Sequence, residues 1–185
     1  MEECPQVGDL GSSGFLLIST CAVNGGNEME VLREHLARSL KGGQAFVSFE
    51  KDLSEVKPVS INAKPSGALH SVYEELEHMR IAQQDLLYYC FEEGWEPRPW
   101  PEGFWPVPDF EASVEDWEEA LIGFMGDLGK AVALVEDPGI DLLSMIPGSV
   151  NEFTYLREIM IIIEHNAYHL GKIVDIRKAL GDWVR

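Results

Sequence analysis

The sequence predicts an all-α protein, a bundle of four long helices, on three observations. Four segments carry apolar residues at intervals of three and four, hardly any stretch alternates at period two, and three of the four segments stop at glycine or proline breakers. The chain has 185 residues, enough for one domain with a sizeable core. Its 45% apolar and 25% charged content is ordinary for a folded protein.

Taken in order, residues 1–26 read as an N-terminal extension of unknown role, ahead of one domain over 27–185. Gly14 to Val23 (GFLLISTCAV) resembles a short export-signal core. The residues before it carry Glu2, Glu3 and Asp9 and no Lys or Arg, the wrong charge for export. The first helix is expected from about Glu28 to Glu50, with Met29, Leu32, Leu36, Leu40 and Phe46 near helical spacing, loosened at Gly42-Gly43. Ala45 to Phe49 is its rival as a strand. The second begins near Ser71, where Ser71-Val-Tyr-Glu74 has the form of a capping box, and ends near Gly94. A third spans roughly Ser113 to Glu136 and stops at Asp137-Pro138-Gly139. The last runs from about Thr154 to Leu180 and stops at Gly181.

Two long connections separate helices one and two (51–70) and helices two and three (92–110). The second holds Trp95, Trp100, Phe104 and Trp105 among five prolines. Proline stiffens the backbone and the aromatics supply large apolar faces, so the loop should pack on the bundle. It serves either as a purely structural lid or as the wall of a ligand pocket, with Trp100, Phe104 and Trp105 as wall residues, or as a dimer contact.

Charge excludes some partners. Against 32 Asp and Glu stand 14 Lys and Arg, a net charge of -18. Such a surface repels phosphate backbones and anionic lipids, so neither nucleic acid nor membrane is expected as a partner. No apolar run reaches the length of about 18 residues that spans a bilayer. Three cysteines, Cys4, Cys21 and Cys90, show no C-x-x-C spacing, which fits a reducing compartment and a cytoplasmic location. Dinucleotide, Walker, nucleophile-elbow and EF-hand patterns are all missing from the sequence.

The histidines carry the chemistry. His165 and His169 lie four apart on one helical face, which also carries Ile162, Ile173 and Ile176 and so points into the bundle. Two imidazoles there can each reach one divalent metal at about 2.0–2.1 Å. His78 is the natural third ligand: it sits roughly 10 Å into helix two, at a level that His165 can share. Cys90 lies roughly 18 Å further along the same axis, too far to join them. His70 precedes the cap, where a turn or surface role is expected ahead of ligation with a pocket-mouth role left open, and His35 belongs on a solvated face. The competing reading makes the pair core histidines bonded to carboxylates such as Glu158 or Glu164. Glu164 points about 100° from His165 and suits support or surface better than a general base, while Glu74 shares a face with His78 but is wanted by the cap. Three neutral nitrogens on a divalent cation leave open positions, the layout of a catalytic centre, where water or an anionic thiolate can bind.

HSVYEELEHMRIAQQDLLYY (70–89), WPEGFWP (100–106) and TYLREIMIIIEHNAYHLGKIVDIRKALGDW (154–183) together resemble the DinB-like superfamily of metal-binding four-helix bundles, which includes the YfiT-type proteins. The likeness covers roughly residues 28–185. By that resemblance the metal histidines fall on His78, His165 and His169. Relatives often carry Asp at the position of Glu164 and Gln at that of Lys172, departures that leave the ligand set intact. The resemblance implies a DinB/YfiT-type bundle, a homodimer, and one divalent metal ion (Zn, Ni, Fe or Mn). It also implies chemistry such as thiol-dependent S-transfer with a low-molecular-weight thiol as co-substrate, or metal-dependent hydrolysis. The expected function is therefore S-transfer to a small electrophilic substrate. Hydrolysis is the nearest variant, and a non-catalytic metal-binding stress or interaction bundle is the alternative of another class.

Overall fold

The computed structural model describes residues 25–91, 95–149 and 151–183, and among them every regular element is helical. Helix α1 is Gly25–Lys41, α2 Phe49–Ser54, α3 Val72–Phe91, α4 Val114–Glu136 and α5 Tyr155–Ala179. Short 3-10 turns occupy Pro58–Ser60 and Glu102–Phe104. Apart from Gly25 and Gly26, with which α1 opens, the expected extension over 1–26 lies outside the described residues.

Four long helices stand where the periodicity puts them, with one correction. The first helix stops at Lys41 instead of running to Glu50. Gly42 and Gly43 both take left-handed backbone, φ 72° and 81°, which ends a right-handed helix. A β-carbon at Gly42 would come within 2.8 Å of Phe46 Cε2 and 3.0 Å of the Val47 carbonyl, so the turn requires glycine there. The chain restarts at α2, where the Ser48 hydroxyl caps the backbone N–H of Lys51. Phe46 thus sits in a turn, edge-on to Phe49 at 5.7 Å, and not on a helical stripe. The rival strand at Ala45–Phe49 reduces to one isolated bridge between Gly42 and Ser48.

The capping box at α3 is formed as the sequence suggests. Ser71 N donates to Glu74 Oε2 at 2.7 Å and Glu74 N donates to Ser71 Oγ at 3.2 Å. A second box, Ser113 with Asp116, starts α4.

Helix α3 packs on both α4 and α5, while α1 packs mainly on α4. The core between them is fully buried at Leu76, Met79, Phe124, Ile159, Ile162 and Leu170. Each such side chain contributes roughly 1.5–3 kcal/mol over its exposed state. The two long connections are tied together by Asn62, whose side-chain amide donates to the Ala112 carbonyl at 2.8 Å and accepts from Ala112 N at 3.0 Å. No helix among the described residues is long and apolar enough to cross a membrane.

Candidate metal centre

The predicted apolar stripe of α5 faces inward: Ile162 and Ile173 are fully buried and Ile176 nearly so. His169 lies among them, 5% exposed, and His165, one turn earlier, is half-buried. Across the interface, α3 brings His78 to the same level, 4% exposed. The three histidines offer nitrogen atoms that all lie within 4.8 Å of one another. His78 Nε2 and His165 Nε2 are 3.1 Å apart. Two imidazole nitrogens bound to one ion at about 2.0–2.1 Å stand roughly 2.9–3.4 Å apart, so this spacing fits a shared divalent metal.

Two of the three rings have their far nitrogen fixed. The loop between α3 and α4 turns through Glu102–Phe104 and delivers the Phe104 carbonyl to His78 Nδ1 at 2.6 Å. A carbonyl only accepts, so Nδ1 carries the proton and Nε2 keeps its lone pair for the centre. His169 Nδ1 lies 2.6 Å from Glu75 Oε2, and the carboxylate imposes the same tautomer there. Glu75 is 1% exposed and its other oxygen accepts from Lys172 Nζ at 2.6 Å and pairs with His70 Nδ1 at 2.9 Å. Burial alone would raise this carboxyl. The bonds from His169 and Lys172 outweigh it and hold the group down at about 2, so Glu75 is an anion.

Two of the imidazoles, His165 and His78, resist protonation. Burial is the largest cause at His165 and pushes it down to about 4; the neighbouring His169 and His78 add to this, and the Asn166 side chain pulls the other way. His78 is also lowered, by burial first, against the opposing bond to Phe104. Neutral imidazoles at neutral pH are the form in which histidine binds metals.

Trp105 covers the centre. Its ring stacks on His78 at 3.9 Å with an interplanar angle of 2°, and on His70 at 4.0 Å. The loop therefore contributes to the site through the Trp105 face and the Phe104 carbonyl. Trp100 touches it only through Phe104, at 5.5 Å between ring centroids, and is 73% exposed. A cleft of about 350 Å³ opens beside the network, reaching Glu75, His70 and Lys172 but lined by none of the three central histidines.

Glu74 is engaged by the cap and by Lys64, at 2.8 Å. Glu164 is exposed, and Glu158 pairs with Arg157. The carboxylate on the histidines is Glu75, which the sequence reading passed over together with Lys172. The signal for both was the i, i+3 spacing: Glu75 stands three before His78 and Lys172 three after His169. His70 reaches the site's edge, whereas His35 is exposed on α1. Cys90 is buried, its thiol pushed up to about 12 by burial, which removes it as a nucleophile.

Comparison with known families agrees with this geometry. The model of the DinB superfamily matches residues 48–173, more than two-thirds of the chain and all three central histidines, with α1 outside the match. No curated protein and no solved structure matches the chain. With an all-helical bundle and a family match of this extent, the chain belongs to the DinB superfamily.

Proposed function

We propose that His78, His165 and His169 hold one divalent metal ion and that the centre serves S-transfer from a small thiol to an electrophilic substrate. The observation that carries the metal is the convergence of three imidazoles, two of them with Nδ1 anchored on Phe104 and Glu75. A metal so held supplies a positive centre with open positions for an anionic nucleophile.

Thiolate is favoured over water by what binds the carboxylate at the histidines. Water needs a base to deliver its proton to, and a site carboxylate is the usual one. Among the described residues, Glu75 is the carboxylate at this site, and both its oxygens are engaged by His169, Lys172 and His70. A small thiol loses its proton far more readily than water, and its sulfur forms the new bond to carbon as the leaving group departs with the electron pair. Trp105 shields the nitrogens from bulk water on one side. The reading extends to a homodimer, which the mass of the purified protein in solution tests.

The test is elemental analysis of the purified protein, followed by thiol consumption against a chlorodinitrobenzene-type electrophile. About one metal per chain and metal-dependent conjugation are expected, both lost in His169→Ala while helicity persists. Metal bound without any thiol or hydrolytic turnover, and a large loss of thermal stability in His169→Ala, would favour a structural role for the ion. No metal at all would sink the proposal.

A further inference from the structure

Asn166 follows His165 directly and is 1% exposed, and its partner Gln83, five residues beyond His78, is 0% exposed. Two fully buried amides beside a histidine centre are costly unless their bonds are all placed. Gln83 Nε2 donates to the backbone carbonyl of Phe124 on α4 at 2.8 Å, and Asn166 Nδ2 donates to Gln83 Oε1 at 2.8 Å. The backbone fixes the direction of this chain. A carbonyl can only accept, so the amide end of Gln83 must face Phe124, its oxygen must face Asn166, and the NH2 of Asn166 must face Gln83. The oxygen of Asn166 is thereby left over.

The ring of the preceding residue offers that oxygen a counterpart. Asn166 Oδ1 and His165 Nδ1 are both buried, and neither makes a regular hydrogen bond. They belong to consecutive residues, one an acceptor and the other an acceptor or a donor according to the ring's tautomer. His165 is also the one ring of the three whose Nδ1 has no carbonyl or carboxylate holding it. Its tautomer decides what the 3.1 Å gap to His78 means. With the proton on Nε2, His165 donates to His78 Nε2 and the pair closes on itself. With the proton on Nδ1, two lone pairs face each other and the gap accepts a cation.

We propose that Asn166 is a positioning residue that holds His165 in the Nδ1–H tautomer, its own orientation set through Gln83 by the Phe124 carbonyl. The relay joins α4, α3 and α5 beneath the histidines and completes the set of three Nδ1 anchors: Phe104 for His78, Glu75 for His169, Asn166 for His165. It deepens the metal reading of this site and rests on it for its function, although the tautomer itself is measurable without metal.

Long-range ¹H–¹⁵N correlation spectra of the imidazole rings in chelator-treated protein read the tautomer, with His165 assigned by the signals missing in His165→Gln. The wild type should show His165 protonated at Nδ1. Asn166→Leu removes the acceptor, so His165 should move to the Nε2–H form, and zinc affinity in competition with a chromogenic chelator should fall by about 10–100-fold. Asn166→Asp gives up the donor to Gln83 but keeps an acceptor for His165, so it should hold the Nδ1–H tautomer that Asn166→Leu loses, a rescue that a packing role would not give. Wild-type His165 in the Nε2–H form overturns the proposal, as does an Asn166→Leu protein with unchanged tautomer and affinity. Should Asn166→Leu fail to fold, the wild-type tautomer and the Asn166→Asp protein still decide. A wild type in the Nδ1–H form that takes up no zinc supports the relay and refutes the metal reading.

Discussion

Helix α5 carries two buried polar clusters that use their hydrogen bonds in opposite ways. Around His165 and His169, every anchor attaches to the far side of a ring and leaves a nitrogen facing its neighbours. Eight residues further on, roughly 12 Å along the axis, Arg177 is 2% exposed and both of its terminal nitrogens are occupied, while its Nε lies 3.8 Å from Asp182 Oδ2. Its guanidinium donates to the Asp52 carbonyl at 2.5 Å, Asp52 Oδ1 at 2.6 Å, the Glu55 carbonyl at 3.0 Å and the Asp182 carbonyl at 2.9 Å. The second cluster clasps α2 and the C-terminal turn to α5, and its buried atoms without a hydrogen bond, Arg177 Nε, Asp52 Oδ2 and Asp182 Oδ1, belong to side chains of opposite charge that already pair with one another. Burial marks both regions. What separates a candidate functional site from a structural clasp is the convergence of like ligand atoms, here three imidazole nitrogens within 4.8 Å of one another.

The strongest way to break this contrast is Arg177→Leu. It strips donors from three backbone carbonyls and leaves the buried Asp52 carboxyl without its cation. Breaking such a pair from one side costs about 3–5 kcal/mol. At roughly 2–4 °C per kcal/mol for a chain of this size, the melting temperature should fall by roughly 6–20 °C. Metal content per folded chain should stay as in the wild type. A variant still folded at room temperature but emptied of metal would show that the two clusters form one cooperative unit.

A smaller change sharpens the contrast within the site. Glu75→Gln keeps an oxygen for His169 but removes the anion that Lys172 and His70 share, and zinc affinity should weaken by about 10–100-fold in chelator competition. Glu164→Gln, on the exposed flank of α5, should leave that affinity unchanged and shift stability by no more than about 0.5 kcal/mol. Equal losses in the two variants would mean that general surface charge, and not the bond to His169, governs the metal.

These glutamates also show how far the sequence could be read. Period and caps located the start of α3 and both ends of α4 and α5 to within a residue or two, because a helix buries a regular stripe and its ends demand recognisable residues; the expected end of α3 near Gly94 lies outside the described residues. The three histidines follow from the same stripe. Glu74 and Glu75 are harder to tell apart: they differ by one position, about 100° of rotation, and only the finished packing shows that one caps α3 while the other turns toward α5. The break after Lys41 was written in Gly42-Gly43, but the apolar spacing across it masked the left-handed turn. Nothing local announced that a proline-rich loop would present the Phe104 carbonyl to a ring twenty-six residues away. That contact depends on long-range closure, which carries no period.

Acid provides the last and smallest test, since His165 and Asp52 respond to it with opposite sign. His165 ionises at about 4 in the folded chain, held down chiefly by burial, against 6.5 for an exposed ring. Between those values the unfolded chain binds a proton that the folded chain refuses, so stability falls as pH drops. His78, lowered for the same reason, adds to the loss. Asp52 is raised above 3.8, mainly by burial and in spite of Arg177. The folded chain therefore holds its proton more tightly, and its contribution grows as pH falls through the folded value. Glu75, lying at about 2 in the fold against 4.5, loses its contribution only below the upper figure. From about pH 7 to about pH 5 Glu75 is thus nearly silent and Asp52 can act only in the opposite sense, so the decline in the melting temperature of chelator-treated protein should belong to the imidazoles. His165→Gln should shrink that decline. An undiminished decline in the variant would place the acid-sensitive group away from His165.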